Sequence, residues 1–156
     1  MEGPKNDTPG VVAPPPLIYL GFLVAGLGFN HFWPTRFLPD SWRVPIAVLL
    51  IAGGAALVTS GLRELRRIGT HVSPHQPSTA LATGGIYRFT RNPLYLSLTL
   101  IYLGIATATN GPWLLLLILP LLVVIRYGVI AREERYLEAK FGDDYRRYKA
   151  RVRRWV

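Results

Sequence analysis

The sequence predicts an all-α integral membrane protein with about four transmembrane helices and a C-terminal cytoplasmic amphipathic helix. The first observation behind this is how the apolar residues are distributed. Half of the 156 residues are hydrophobic, and most fall into four blocks, 17–32, 44–62, 94–109 and 113–130, with Arg126 the one arginine inside them. Each block is roughly 16 to 19 residues long, near the length of helix that crosses a hydrocarbon core of about 30 Å. The second observation is where the cations stand. The net charge is +9. Arg63, Arg66, Arg67, Arg88 and Arg91 separate the second and third blocks, and nine more cations, from Arg132 to Arg154, follow the fourth. Only Arg36 and Arg43 lie between the first two blocks, and none lies in the turn after the third. By the positive-inside rule both termini are expected in the cytoplasm. This sorting is that of a membrane protein and not of a nucleic-acid-binding face, and no obligate protein partner is indicated.

Residues 1–16 are polar and proline-rich, without the basic start or small-residue cleavage site of a signal peptide, and are expected to be a mobile leader to a single domain, 17–156. The first span closes at Asn30-His31-Phe32-Trp33-Pro34, where proline stops the helix and aromatic rings suit the interface. The second carries Gly53-Gly54-Ala55-Ala56, small residues that admit a neighbouring helix, and should continue through Arg63–Arg67 into the cytoplasm. The Ser-, Thr-, Pro- and Gly-rich stretch 69–85 is a loop long enough to suggest function. The first and third spans are short for a bilayer. Thr109-Asn110-Gly111-Pro112 makes the third and fourth an antiparallel hairpin, and Pro120 is expected to kink the fourth. Beyond the membrane, Gly142 is expected to cap one helix and Asp143 to start another. Glu133, Leu137, Phe141, Tyr145, Tyr148, Val152 and Trp155 form one apolar stripe, which turns Glu133 inward.

Chemistry concentrates at two places. Asn92 and Pro93 suit the N-cap and first position of the third span, so that helix is expected to present free N–H groups beside Arg91, an anion-binding arrangement. Glu133-Glu134 stands opposite if the last two spans form a hairpin. A glutamate at a membrane boundary is either a surface partner of Arg132 or Arg135, or, for Glu133 on the inward stripe, a carboxylate that needs a buried partner. Arg126 has two readings, lining a cavity or snorkelling to the interface. With no cysteine, a thiolate nucleophile or a Cys-ligated metal is excluded. His71 and His75 have metal-ligand spacing but are interrupted by Pro74, and no metal is expected.

Two patterns, Gly85-x-Tyr87-x-x-x-Arg91-Asn92-Pro93-x-Tyr95 and Glu133-Glu134-x-x-Leu137-x-x-x-Phe141-Gly142-x-x-Tyr145-x-x-Tyr148, occur in that order. Together they resemble the isoprenylcysteine carboxyl methyltransferase and phospholipid methyltransferase family of membrane enzymes, over roughly Thr79 to Tyr148. The resemblance implies S-adenosyl-L-methionine as methyl donor, contacted by Thr79, Ala80, Leu81, Ala82, Tyr87, Asn92, Pro93, Leu94, Tyr95 and Glu133, and a lipophilic acceptor at the cytoplasmic face, whether an isoprenylcysteine-like carboxylate, a lipid or another small hydrophobic molecule. Arg91, Glu133 and Arg126 are the candidate catalytic residues. Where the carboxyl methyltransferase branch places an acceptor-binding arginine this chain has Val129, and where the family usually has histidine it has Asn92. The alternatives are an NADPH-dependent membrane reductase of the sterol and enone type, which shares an Arg-x-Pro-x-Tyr turn, and a non-catalytic lipid-binding scaffold.

Overall fold

A computed structural model describes residues 8–72 and 76–155. Its elements are α1 (Pro15–Phe32), α2 (Asp40–Arg67), a 3-10 turn (Gly85–Arg88), α3 (Pro93–Ala108), α4 (Pro112–Val124), a π-helical segment (Ile125–Ile130) and α5 (Ala131–Arg151), with no strand among the described residues. Three helices are long and apolar enough to cross a membrane: α1, α2, and the continuous helix that begins at Pro112, whose apolar run ends at Ile130. The fourth, α3, has 16 residues and spans about 24 Å. It is short because it is central. Tyr95, Ser97, Thr99, Tyr102, Ala106 and Thr107 bury successive faces of it against α2, α1 and α4, so lipid sets its length less than its neighbours do. The lipid-facing side chains are carried by the outer helices, for example Leu49, 74% exposed on α2, and Leu119, 68% exposed on α4.

Close helix contact depends on small residues, as expected for packing in lipid. A Cβ at Gly54 would lie 2.7 Å from Ile101 Cγ1 and 2.9 Å from the Ser97 carbonyl oxygen, so α2 and α3 meet almost backbone to backbone. Buried hydroxyls complete the ties. Tyr19 OH shares a 2.8 Å hydrogen bond with Thr99 Oγ1 and donates to the Tyr95 carbonyl, and Tyr102 OH donates to the Leu114 carbonyl.

Two helix ends have the same physical form. After α2, Gly69 adopts φ +69°, and the N–H groups of Gly69 and Thr70 return to the carbonyls of Arg66 and Leu65. After α3, Asn110 adopts φ +51°, and the N–H groups of Asn110 and Gly111 return to Thr107 and Ala106. Both are Schellman caps with the left-handed residue that this cap requires. Asn110 then accepts the N–H groups of Phe37 and Leu38 and donates to the Leu38 carbonyl, latching the α1–α2 connection at the end of the bundle away from α5.

Three local features go beyond the sequence reading. Residues 8–14 of the leader lie against the bundle: Val12 N–H donates to Gly128 O at 3.2 Å and Arg132 donates to Gly10 O at 2.7 Å. The fourth span leaves α-helical geometry at Ile125–Ile130, downstream of Pro120. A π turn takes in an extra residue and rotates the downstream helix by about 100° relative to an unbroken α-helix, so this segment sets which face of α5 meets α3. At Gly142 (φ +51°) the chain bends as expected, but the Asp143 carboxylate bonds Arg146 at 2.6 and 3.0 Å.

Candidate functional site

A cavity opens at the α5 end of the bundle, among the start of α3, the first turns of α5, the 3-10 turn and residues 70–72, 78 and 80–82 of the loop. The turn that carries Tyr87 into its wall begins at Gly84 and Gly85. Glu64, at the end of α2, is buried and pairs with Arg67 at 2.7 and 3.0 Å. A Cβ at Gly84 would come within 2.5 Å of Glu64 Oε1, and Gly85 has φ +53°. The glycine pair therefore lets the chain wrap over this ion pair and turn Tyr87 inward. Tyr148 OH fixes that turn by donating to the Tyr87 carbonyl at 2.7 Å.

Across the cavity, Tyr95 OH donates to Glu133 Oε1 at 2.6 Å. Burial pushes the Glu133 carboxyl up to about 7. The Tyr95 hydrogen bond opposes that rise, and the neighbouring Glu134 charge adds to it. Glu134 is not a surface partner of Arg132 or Arg135. It lies 3.3 Å from Arg91 and takes the Arg154 guanidinium at 2.6 and 2.9 Å.

At the start of α3 the N–H groups of Leu94 and Tyr95 have no acceptor among the described residues, as expected. Asn92 occupies the N-cap position, but its side-chain amide donates to the Arg154 carbonyl at 2.9 Å rather than capping the helix. Arg91 N–H donates to the Arg153 carbonyl at 3.0 Å, and Thr90 Oγ1 to the Arg154 carbonyl at 3.2 Å. The chain after α5 folds back beside this terminus, and its carbonyls accept from the three residues just before the helix. Next to the helix start stands the Arg91 side chain, which lines the cavity and whose buried Nε has no partner among the described residues.

Of the residues singled out in the sequence, Ala80, Leu81, Ala82, Tyr87, Arg91, Asn92, Pro93, Leu94, Tyr95 and Glu133 line this one cavity. Two do not. Thr79 faces away, its hydroxyl donating to the Gly69 carbonyl and its N–H to Thr70 Oγ1. Arg126 is exposed, its guanidinium 5.5 Å from the centre of the Tyr127 ring, and does not reach the cavity. Val129 is fully buried in the core and is likewise not on the wall. Sequence reasoning missed Tyr136, which lines the cavity, and Arg154, which steadies it. Tyr136 OH accepts from Ser78 N–H, and nothing in the local pattern marked this loop contact. His71 sits on the rim, His75 lies outside the described residues, and no cluster of three His, Cys, Asp or Glu side chains suited to a metal occurs among the described residues.

A family model described as phospholipid methyltransferase matches residues 42–144, which include α3, the π segment and the first turns of α5. An uncharacterized protein of Haemophilus influenzae is 49% identical over 63 residues, 40% of this chain and 100% of that protein. Methanethiol S-methyltransferase 1 of Bradyrhizobium diazoefficiens is 31% identical over 141 residues, 78% of this chain. The chain spans about half of that relative's length, 47%. No solved structure matches.

Proposed function

Because the chain belongs to the phospholipid methyltransferase family, we propose that it transfers a methyl group from S-adenosyl-L-methionine to a lipophilic acceptor at the cytoplasmic face of a membrane. The observation that carries this reading is the meeting of Tyr95 and Glu133 in one cavity with Arg91, whose buried Nε lacks an acceptor. The wall fits such a donor. Arg91 is suited to its carboxylate, Glu133 to its ammonium or ribose hydroxyls, and the tyrosine faces at 87, 95 and 148 to adenine or sulfonium. Bound there, the donor supplies an electrophilic methyl group, and the protein's task is to align the partners and exclude water. No covalent nucleophile is required of the chain.

Leu65, Leu81, Leu94 and Leu137 give the same cavity an apolar side, which supports an acceptor arriving from the lipid. With Val129 in the core and Arg126 outside the cavity, neither position offers a cation to an acceptor carboxylate. This favours an uncharged acceptor over a carboxylate. The methanethiol relative bears a name of that kind. The basic end of α2 lies at the cavity end of the bundle, supporting the assignment of that end to the cytoplasm.

Calorimetry of the detergent-purified protein should detect binding of S-adenosylhomocysteine. Absence of binding at high micromolar ligand, or a preference for NADPH, sinks this reading. The pH dependence comes from Glu133. Below about 7 its carboxyl is protonated and a donor that uses the carboxylate must expel that proton, so affinity should rise between about pH 5.5 and about pH 8. Protons should be released on binding near pH 6, seen as a heat that varies with the buffer's ionisation enthalpy. The unliganded protein has the opposite trend. Its folded state holds a proton that the unfolded chain loses near 4.5, so this group's contribution to stability falls as pH rises towards 7.

A further inference from the structure

Arg91 and Arg154 share one carboxylate unequally. Glu134 takes Arg154 Nε at 2.9 Å and Nη2 at 2.6 Å, a two-pronged pair, but meets Arg91 through a single 3.3 Å contact. Arg91 Nη1 lies 3.5 Å from Tyr145 OH, at the limit of a hydrogen bond, and its Nε has no partner among the described residues although only 10% of the side chain is exposed. Glu133 makes no ion pair with Arg91 among the described residues; its Oε1 accepts from Tyr95. A desolvated guanidinium with such weak acceptors lacks an anion. The segment that brings Arg154 here is itself tied down. The carbonyls of Arg153 and Arg154 accept from Thr90, Arg91 and Asn92, and Trp155 packs against the main core.

We propose that Arg154 is a positioning residue that holds Glu134 off Arg91, so that Arg91 is reserved for the carboxylate of the methyl donor; this rests on the donor assignment above. Two guanidiniums and one carboxylate leave a surplus positive charge facing the cavity. Without Arg154, Glu134 closes on Arg91 as a fork-to-fork pair and the cavity offers the donor a neutralised site. Lysine in place of Arg154 restores the charge but not the two-pronged geometry.

The test is calorimetry on the full chain in detergent with two ligands. One is S-adenosylhomocysteine. The other is 5′-methylthioadenosine, which keeps adenine, ribose and thioether but lacks the amino-acid carboxylate. Arg154→Ala is expected to weaken S-adenosylhomocysteine by about tenfold and to leave methylthioadenosine within about twofold, with Arg154→Lys intermediate. Adding Glu134→Gln to Arg154→Ala should recover most of the lost affinity, because an amide does not neutralise Arg91. An equal loss for both ligands, no loss for either, or a double variant no better than Arg154→Ala overturns the proposal. If the parent protein binds no S-adenosylhomocysteine, the donor assignment falls as well; if it does and Arg154→Ala is unchanged, only the role of Arg154 falls.

Discussion

Glu133→Ala is expected to weaken S-adenosylhomocysteine binding by about 10- to 100-fold and to remove its rise with pH. The substitution deletes a carboxylate whose hydrogen bonds to a ligand are each of the charge-assisted kind, worth about 1.5–3 kcal/mol. It also deletes the buried cavity carboxyl that burial pushes up to about 7. Tyr95→Phe separates that chemistry from mere loss of shape. The ring stays, but the 2.6 Å hydrogen bond that holds the Glu133 carboxyl down is gone, so the midpoint of the binding curve should move above 7. If Glu133→Ala binds like the parent, or Tyr95→Phe leaves the midpoint where it was, the donor does not use this pair.

The second large effect concerns packing. Gly54→Leu is expected to cost about 3 kcal/mol or more and to give little folded protein in detergent, as read by thermal melting with size-exclusion chromatography. Even the first carbon of the new side chain meets the Ser97 carbonyl and Ile101 at 2.9 and 2.7 Å, and most of what it meets is backbone that cannot step aside. Because α3 carries Tyr95 two residues before Ser97, a displaced α3 also takes Tyr95 away from Glu133. The neighbouring glycine supplies the control. A Cβ at Gly53 has only Leu100 Cδ1, 4.0 Å away, so Gly53→Leu should fold normally. Equal behaviour of the two variants would mean that α2 and α3 do not meet at Gly54.

Much of this was legible because it is local. Apolar runs, breakers and the sorting of cations depend on residues close in the chain, and they marked all four apolar helices within a few residues of their bounds. Both halves of the cavity carry patterns of their own, so Tyr87, Tyr95 and Glu133 stand out from the residues alone. The misreadings share a cause. Asn92 has the right residue type for a cap and stands at the right position, yet its amide bonds a carbonyl 62 residues away. Thr79 lies in the correct loop but serves the Schellman turn after α2. Arg126 has a rare and costly position, which marks it as notable without saying which way it points.

The sequence alone determined that this is an all-α membrane protein, where its helices run, and which short segments carry the patterns that line the cavity, since hydropathy, capping and spacing are properties of neighbours. Tertiary structure alone decided which partners answer the buried charges. The π segment rotated α5 so that Glu133 met Tyr95, and the returning C-terminal segment gave Glu134 to Arg154 and left Arg91 short of an acceptor. The physical reason is that a buried ion is stabilised by whichever group arrives beside it, and arrival is set by the packing of distant helices rather than by the residues on either side.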